Sequence, residues 1–518
     1  MGRDRPGVNG RPVVVTSVGA VRGRDDGRVS TWRGIRYGEP PTGRLRWRAP
    51  APAAPWSGVV DAVAFGPAAP QRPNPAVPLG PPGETWMDED CLFLNVIRPS
   101  HEPLSGGLRP VMVWLQGGAY ALGASSQRIY RGDRFVPDGD VVLVTLNHRL
   151  GALGFLDVRS VGVDDAETNV ALRDVLLALR WVRDNIHAFG GDPDSVTVFG
   201  QSAGAGLVTA LLASPAAAGL FHRAIAQSPP AGSMYGPERA ATVARAFVER
   251  LGPGARTPGA LRGVPVEAIV DAGAAVYTEI PREHPGMLAF APVVGDDLLP
   301  EAPIRVLSDG RGMPVPLLIG STHDEATLFR LMRSPLLPIR RTALRRMFDA
   351  MRSEQQRGGA SLPERERVLS VYGRRRPARG VRVATDIAFR MPALWVAAGH
   401  SAVAPTHLYR FDFAPPLLRI TGVGASHATD LPYVWGEFDA LPRDPSFLLG
   451  GRRTAEAVSE RMRRRWADFA RTGLPGPDWP AYEPHYRATL VIGATDRVVP
   501  DLDARLRAGW GEQVLTFG

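Results

Sequence analysis

The chain has 518 residues, with 61 Lys+Arg against 52 Asp+Glu, a formal net charge of +9, and 44% hydrophobic, 8% aromatic and 22% charged residues. These are the proportions of an ordinary globular protein and exclude a disordered or fibrous one; Gly 57 and Pro 49 together stay below the share, about 25–30%, that marks low-complexity chains. All 61 cations are arginine, and the basic clusters (Arg340, Arg341, Arg345 and Arg346; Arg374 to Arg376; Arg461 and Arg463 to Arg465) lie far apart with acids between them. They read as solvated helix faces and loops, so no nucleic-acid partner is expected.

In chain order, the first residues lack the apolar core of about 7–15 residues that a secretory signal needs, and a cytoplasmic protein is expected. Pro67 to Glu84 is proline-rich with little periodicity and reads as a surface loop. Cys91 is the only cysteine, which excludes an intrachain disulfide and a cysteine-based zinc site. Val111 to Leu115 and Val141 to Leu146 are short apolar runs of buried-strand type, ended by Gly117-Gly118 and by Asn147. From Val170 to Phe189 apolar residues recur at helical spacing around Arg173, Asp174, Arg180, Arg183 and Asp184, and the pattern stops at Gly190-Gly191-Asp192-Pro193.

Val196 to Phe199 is the next strand, and Gly200 turns it directly into an apolar helix. The uncharged stretch Ala203 to Phe221 contains Ser214-Pro215 and reads as a buried helix and turn, so no membrane partner is expected. Val315 to Ile319 and Leu408 to Phe413 are further strands, and about 332 to 380 is Arg-rich, polar and of helical character. The alternation predicts an α/β protein with a mostly parallel sheet flanked by helices. One domain is expected over 1–518, with 67–84 and 332–380 as insertions able to border a cleft.

The sharpest chemical signal is Gly200-Gln201-Ser202-Ala203-Gly204, set between an apolar strand and an apolar helix. That context lifts a serine hydroxyl above the sheet on a tight turn that only small neighbours allow. A serine needs a base to take its proton, and in a strand-turn-helix site of this kind the partners follow as Ser, acid, His. Seven histidines follow Ser202: His222, His284, His323, His400, His407, His427 and His485. His427 stands out because Gly422 to Ser426 and Ala428-Thr429 form a small-residue loop around it, whereas His407 and His485 read as surface or packing residues.

The acid belongs on the loop after Pro314 to Gly320, where Asp324 and Glu325 are not separated by spacing, and Asp296, Asp297 and Asp430 compete. Gly117-Gly118-Ala119 can present backbone N–H groups to an oxyanion, with Ala203 N–H as the second contributor.

Ordered motifs along nearly the whole chain carry a resemblance. They are Gly34-Ile35-Arg36-Tyr37 with Pro40, Pro41 and Gly43; Glu89-Asp90-Cys91-Leu92-Phe93-Leu94-Asn95; Asn147 to Gly151; Phe189 to Pro193; Phe199 to Gly204; Asp324-Glu325 with Phe329; Gly424 to Pro432; and Trp466, Phe469 to Gly473 and Trp479-Pro480. Together they resemble the type-B carboxylesterase/lipase family. The resemblance implies an α/β-hydrolase fold, Ser202 as nucleophile, His427 as general base and then acid, Glu325 in preference to Asp324 as the orienting carboxylate, and an oxyanion hole at Gly118, Ala119 and Ala203. It also implies a structural ion pair at Glu89 and Arg149. No metal or organic cofactor is implied.

The departures from the family's pattern are specific. The usual cysteine partner of Cys91, near Ala69, is missing, which is consistent with a bacterial intracellular protein. Gln116 stands where His or Tyr often precedes the glycines, Gln201 replaces the usual Glu beside the nucleophile, and Pro229 follows Ser228 where Gly is common. Loss of a carboxylate at Gln201, in a chain of net charge +9, predicts neutral or anionic small esters over choline esters. The reading is therefore a serine carboxylesterase, monomeric or homodimeric, acting on a small-molecule ester. Its rivals are the same triad acting on a specialised amide, carbamate or lactone, and a catalytically silent interaction protein. Met287, Leu288 and Phe290 are candidate pocket walls.

Overall fold

Alternate side chains of the apolar runs point to opposite faces of a large sheet, so each run feeds two cores. Val111, Val113 and Leu115 enter one core and Met112 and Trp114 the other, all fully buried, the period-two pattern of a strand covered on both sides. The computed structural model describes residues 10–75, 77–80, 86–255, 258–358, 365–373, 376–441, 444–511 and 514–515.

A small sheet pairs β1 (Val13–Thr16), β2 (Gly19–Arg22) and β5 (Val59–Asp61). The central sheet has eleven strands in the order β14 (Arg497–Val499), β13 (Thr489–Ile492), β12 (Thr406–Phe411), β11 (Leu317–Thr322), β10 (Arg223–Gln227), β9 (Gly191–Gln201), β7 (Arg109–Leu115), β8 (Val142–Leu146), β6 (Phe93–Pro99), β4 (Val29–Arg36) and β3 (Arg24–Asp25). Neighbours from β8 to β13 are parallel. The outer pairs at both ends are antiparallel. Helices cover both faces, which is the α/β-hydrolase architecture expected from the sequence.

Local chemistry adjusts the predicted boundaries. The helix from Val170 is α-helical to Asn185, tightens to a 3₁₀ turn over Ile186–Phe189, and ends at Gly190 with φ 79°. The strand expected at Val315 begins at Leu317, since Pro314 and Pro316 on either side have no N–H to give a ladder. The helix Ala203–Ala213 is buried throughout its first ten residues and stops at Ser214-Pro215. Among the described residues no helix is long and apolar enough to cross a membrane. The Arg-rich stretch after 332 forms helices Arg341–Gly358, Arg365–Ser370 and Arg376–Thr385.

Two expectations about charges are corrected. Glu89 and Arg149 do not pair with each other. Arg46 Nε donates to Glu89 Oε2 at 2.8 Å, and Arg149 is held by Asp174 through Nε at 2.9 Å and Nη2 at 2.6 Å. Arg149 and Asp174 are both buried, so each desolvated charge requires its partner, and separate partners satisfy both glutamate and arginine. The arginines near 461 are not all solvated either: Arg465 is buried and reaches Asp478 and Asp496, Arg461 pairs with Asp496, and Arg463 with Asp138. Arg374 and Arg375 lie outside the described residues.

Candidate active site

The parallel strands end on one edge, and their carboxyl ends carry the candidate residues. Ser202 follows β9, Ser228 follows β10, Glu325 follows β11, His427 lies on the long loop after β12, and Gly117-Gly118-Ala119 follow β7. Ser202 is the hinge between β9 and the helix Ala203–Ala213, with φ 57° and ψ −125°. A non-glycine residue reaches that conformation only when its surroundings enforce it. The turn is tight because a Cβ on Gly204 would lie 1.9 Å from the Leu115 carbonyl oxygen. Gly206 N–H is the donor to Ser202 C=O at 2.9 Å, which leaves the N–H groups of the first helical residues, Ala203 included, facing the serine end of the helix.

His427 bridges serine and acid. Its Nε2 lies 2.8 Å from Ser202 Oγ and its Nδ1 2.5 Å from Glu325 Oε2. Glu325 is fully buried, and its other oxygen accepts from Ser228 Oγ at 2.6 Å and from Thr322 N–H at 2.7 Å. With Nδ1–H given to the carboxylate, Nε2 presents its lone pair to the serine hydroxyl. Phe389 and Phe329 pack on the imidazole, with ring centroids 4.6 and 5.2 Å away. Gln201 Nε2 stands 3.2 Å from His427 Nε2.

Two loops lock together beneath this array. Asp324 N–H donates to Ala425 C=O at 2.8 Å, Ala425 N–H returns to Asp324 Oδ2 at 3.2 Å, and His427 N–H donates to Glu325 C=O at 3.3 Å. Asp324 thus fastens the acid loop to the histidine loop and turns its carboxylate to His323 Nδ1 at 2.9 Å, away from His427. Behind them Asp430 is fully buried, accepts from Gln227 Nε2 at 2.8 Å, and has its pKa pushed up to about 6 by burial.

The loop after β7 bends sharply, with φ 125° at Gly118, 50° at Ala119 and 60° at Tyr120. Ala119, Ser202 and Ala203 share the wall of one pocket. Its other walls are mainly apolar, among them Leu288, Phe329, Leu336, Pro338 and Phe389. Among the described residues that line it none is charged.

Against this geometry, the sequence profile of the Carboxylesterase family matches residues 10–507. The chain belongs to the carboxylesterase family. It is 36% identical over 504 residues to the para-nitrobenzyl esterase of Bacillus subtilis (strain 168), covering 96% of this chain and 97% of that protein. It is 35% identical over 499 residues to the phenmedipham hydrolase of Pseudarthrobacter oxydans, covering 93% and 95%. Among solved structures, a thermophilic PNB esterase aligns with a TM-score of 0.84 at 34% identity, over 97% of this chain and 100% of that one. A carboxylesterase of Geobacillus stearothermophilus aligns with a TM-score of 0.80 at 33% identity over the same shares.

The competing residues of this carboxylesterase have other partners. Asp296 is spent on Thr168 Oγ1, Asn169 Nδ2 and the N–H groups of Leu298 and Leu299, and Asp297 on Arg173. His407 is a buried packing residue between Phe469 and Trp479, its pKa pushed down to about 4 by burial, and His485 is exposed beside Glu483. Of the candidate walls, Leu288 lines the site pocket, Phe290 a neighbouring cavity and Met287 the core. Pro70 to Pro75 line that neighbouring cavity, and the Leu336 to Pro338 stretch lines the site. Sequence reasoning missed Ser228 and Phe389. Ser228 shares with Ser202 a positive φ, 51°, immediately after a core strand, and the sequence singled it out only as the residue before Pro229.

Proposed function

We infer that this carboxylic-ester hydrolase works through a covalent acyl-enzyme on Ser202 and acts on small neutral or anionic esters. The observation that carries the reading is the imidazole of His427 held between Ser202 Oγ and Glu325 Oε2. Ser202 Oγ attacks the ester carbonyl carbon as His427 Nε2 takes its proton. The tetrahedral oxyanion is met by the N–H groups of Gly118, Ala119 and Ala203. His427 then returns the proton to the leaving alkoxide, and the alcohol departs. In the second half, water attacks the acyl group with His427 again as base, releasing the acid and restoring Ser202. Glu325 keeps the proton of the resting imidazole on Nδ1 and balances the imidazolium charge.

The substrate class follows from charge and lining. Gln201 adds no negative charge beside the nucleophile, the pocket walls are apolar, and the chain carries +9. A cationic ester would find no carboxylate there to offset its lost hydration. The lone buried Cys91 fits a reducing compartment, and a bacterial cytoplasmic location is part of the same proposal. The test is hydrolysis of p-nitrophenyl butyrate by the purified protein and by Ser202→Ala. Turnover by the former and its loss in the latter support the reading; equal turnover by the two contradicts it.

Carbamate hydrolysis is the second reading, favoured by the 35% identity to a phenmedipham hydrolase. The same attack on a carbamate carbonyl would leave a carbamoyl-serine, and multiple turnovers of phenmedipham without progressive inactivation would support it.

A further inference from the structure

Residues 385–390 touch the candidate site from outside all the motifs named above. Here the chain between helices Arg376–Thr385 and Met391–His400 makes one turn of π-helix, Asp386–Arg390. Such turns are rare and concentrate at functional sites, because the inserted residue re-aims its neighbours. In this turn Ile387, Ala388 and Phe389 line the site pocket, and Phe389 lies against His427.

The residues flanking that wall grip the acid loop. Thr385 Oγ1 accepts from Ala326 N–H at 3.0 Å, directly after Glu325. Arg390 Nη2 donates to the carbonyls of Thr322 at 3.2 Å and His323 at 2.7 Å, three and two residues before it. Arg390 is itself anchored: Nη1 donates to Asp386 Oδ1 at 3.1 Å, Tyr372 Oη donates to Asp386 Oδ2 at 2.6 Å, and Trp510 Nε1 donates to Tyr372 Oη at 2.6 Å. Every side chain of this chain of bonds is buried.

We propose that Thr385–Arg390 is a cradle that sets the position of Glu325, with Arg390 as its principal positioning residue and Asp386, Tyr372 and Trp510 as its anchor. The proposal rests on Glu325 being the triad acid. Both ends of the loop 322–326 are held from one short segment, Thr385 and the π turn that follows it, and that turn places Phe389 on the imidazole, so carboxylate and histidine share one reference frame. A shift of the turn moves the acid loop and His427 relative to Ser202, and misplacement on the scale of an ångström is costly to the chemical step.

Charge supplies a signature that packing alone would not. Arg390 faces Asp386 on its own turn, Asp324 and Glu325 on the acid loop, Asp412 beyond β12 and Asp503 before the last helix. His427 faces Glu325 and Asp430. Removing the Arg390 cation leaves the Glu325 charge less compensated, so the imidazolium is held more tightly and the acid limb of kcat/KM moves to higher pH.

The experiment compares Arg390→Gln, Arg390→Lys, Tyr372→Phe and Thr385→Val in the full chain, with active sites counted by phosphonate titration. For Arg390→Gln the expected result is kcat lower by about tenfold, KM within about twofold, and an acid limb raised by about half a pH unit. Arg390→Lys keeps the limb in place and recovers part of kcat. A folded Arg390→Gln with wild-type kcat and limb overturns the proposal, as does Arg390→Lys moving the limb as far as Gln does. If Arg390→Gln does not fold, the milder pair decides: kcat lower by about threefold at unchanged KM in both supports the cradle, and wild-type kcat in both overturns it. Glu325→Gln with wild-type kcat would instead remove the triad assignment beneath the proposal.

Discussion

Ser228 Oγ donates to Glu325 Oε1 at 2.6 Å, on the carboxylate oxygen opposite the one that holds His427. The Glu325 carboxylate is thus held by a serine from the neighbouring strand end, with its other oxygen on the imidazole. Ser228→Ala leaves Oε1 with only Thr322 N–H. Loss of a charge-assisted bond of this kind is worth roughly 1.5–3 kcal/mol, so kcat is expected to fall by about tenfold or more with KM little changed. Steady-state kinetics on p-nitrophenyl butyrate, beside a thermal melt showing a folded variant, checks this.

The serine turn depends on glycine at position 204, where an added Cβ would meet the Leu115 carbonyl at 1.9 Å. Gly204→Ala must push β7 and the helix Ala203–Ala213 apart, and a cost of about 3 kcal/mol or more is expected. Chemical denaturation should show the loss directly. A variant of wild-type stability would mean that the turn relaxes without effort.

Charge selectivity gives the third prediction. Butyrylthiocholine and an uncharged butyryl thioester of similar size differ in the cation alone, and kcat/KM is expected to be at least about tenfold lower for the cation. Gln201→Glu should narrow that gap by placing a carboxylate beside Ser202. Comparable values in the wild type would remove the preference for neutral or anionic esters.

Burial pushes the pKa of Asp430 up to about 6, well above the ordinary carboxylate range near 4. A group with a raised folded-state pKa binds its proton more tightly in the folded than in the unfolded chain. Between about pH 4 and pH 6 the native state therefore holds more protons, and this group's contribution to stability falls as pH rises through that window. Asp430→Asn keeps an acceptor for Gln227 and removes the titration. It should flatten the stability profile between about pH 4 and 6 and raise Tm at pH 8 by about 2 °C, read by melts across pH.

What could be seen in the sequence was local. Ser202 is legible because strand, glycine turn and helix are contiguous, and His427 because its loop is built of small residues on both sides. Spacing does not separate Asp324 from Glu325, since adjacent residues share a loop and only the folded chain shows one carboxylate turned to His323 and the other to His427. Ser228, Arg390 and Phe389 are illegible for a related reason: they reach the site from separate strands and helices, and no local pattern records a meeting arranged by the sheet. The partners of Arg149 and Glu89 likewise come from distant segments, which is why pairing the two with each other failed.

The most direct test of the central claim is the mass of the protein after reaction with an aryl organophosphonate, followed by peptide mapping. One adduct per chain is expected, on Ser202, appearing in step with loss of esterase activity and absent from Ser202→Ala. An adduct on another residue, or esterase activity that survives full labelling, would contradict it.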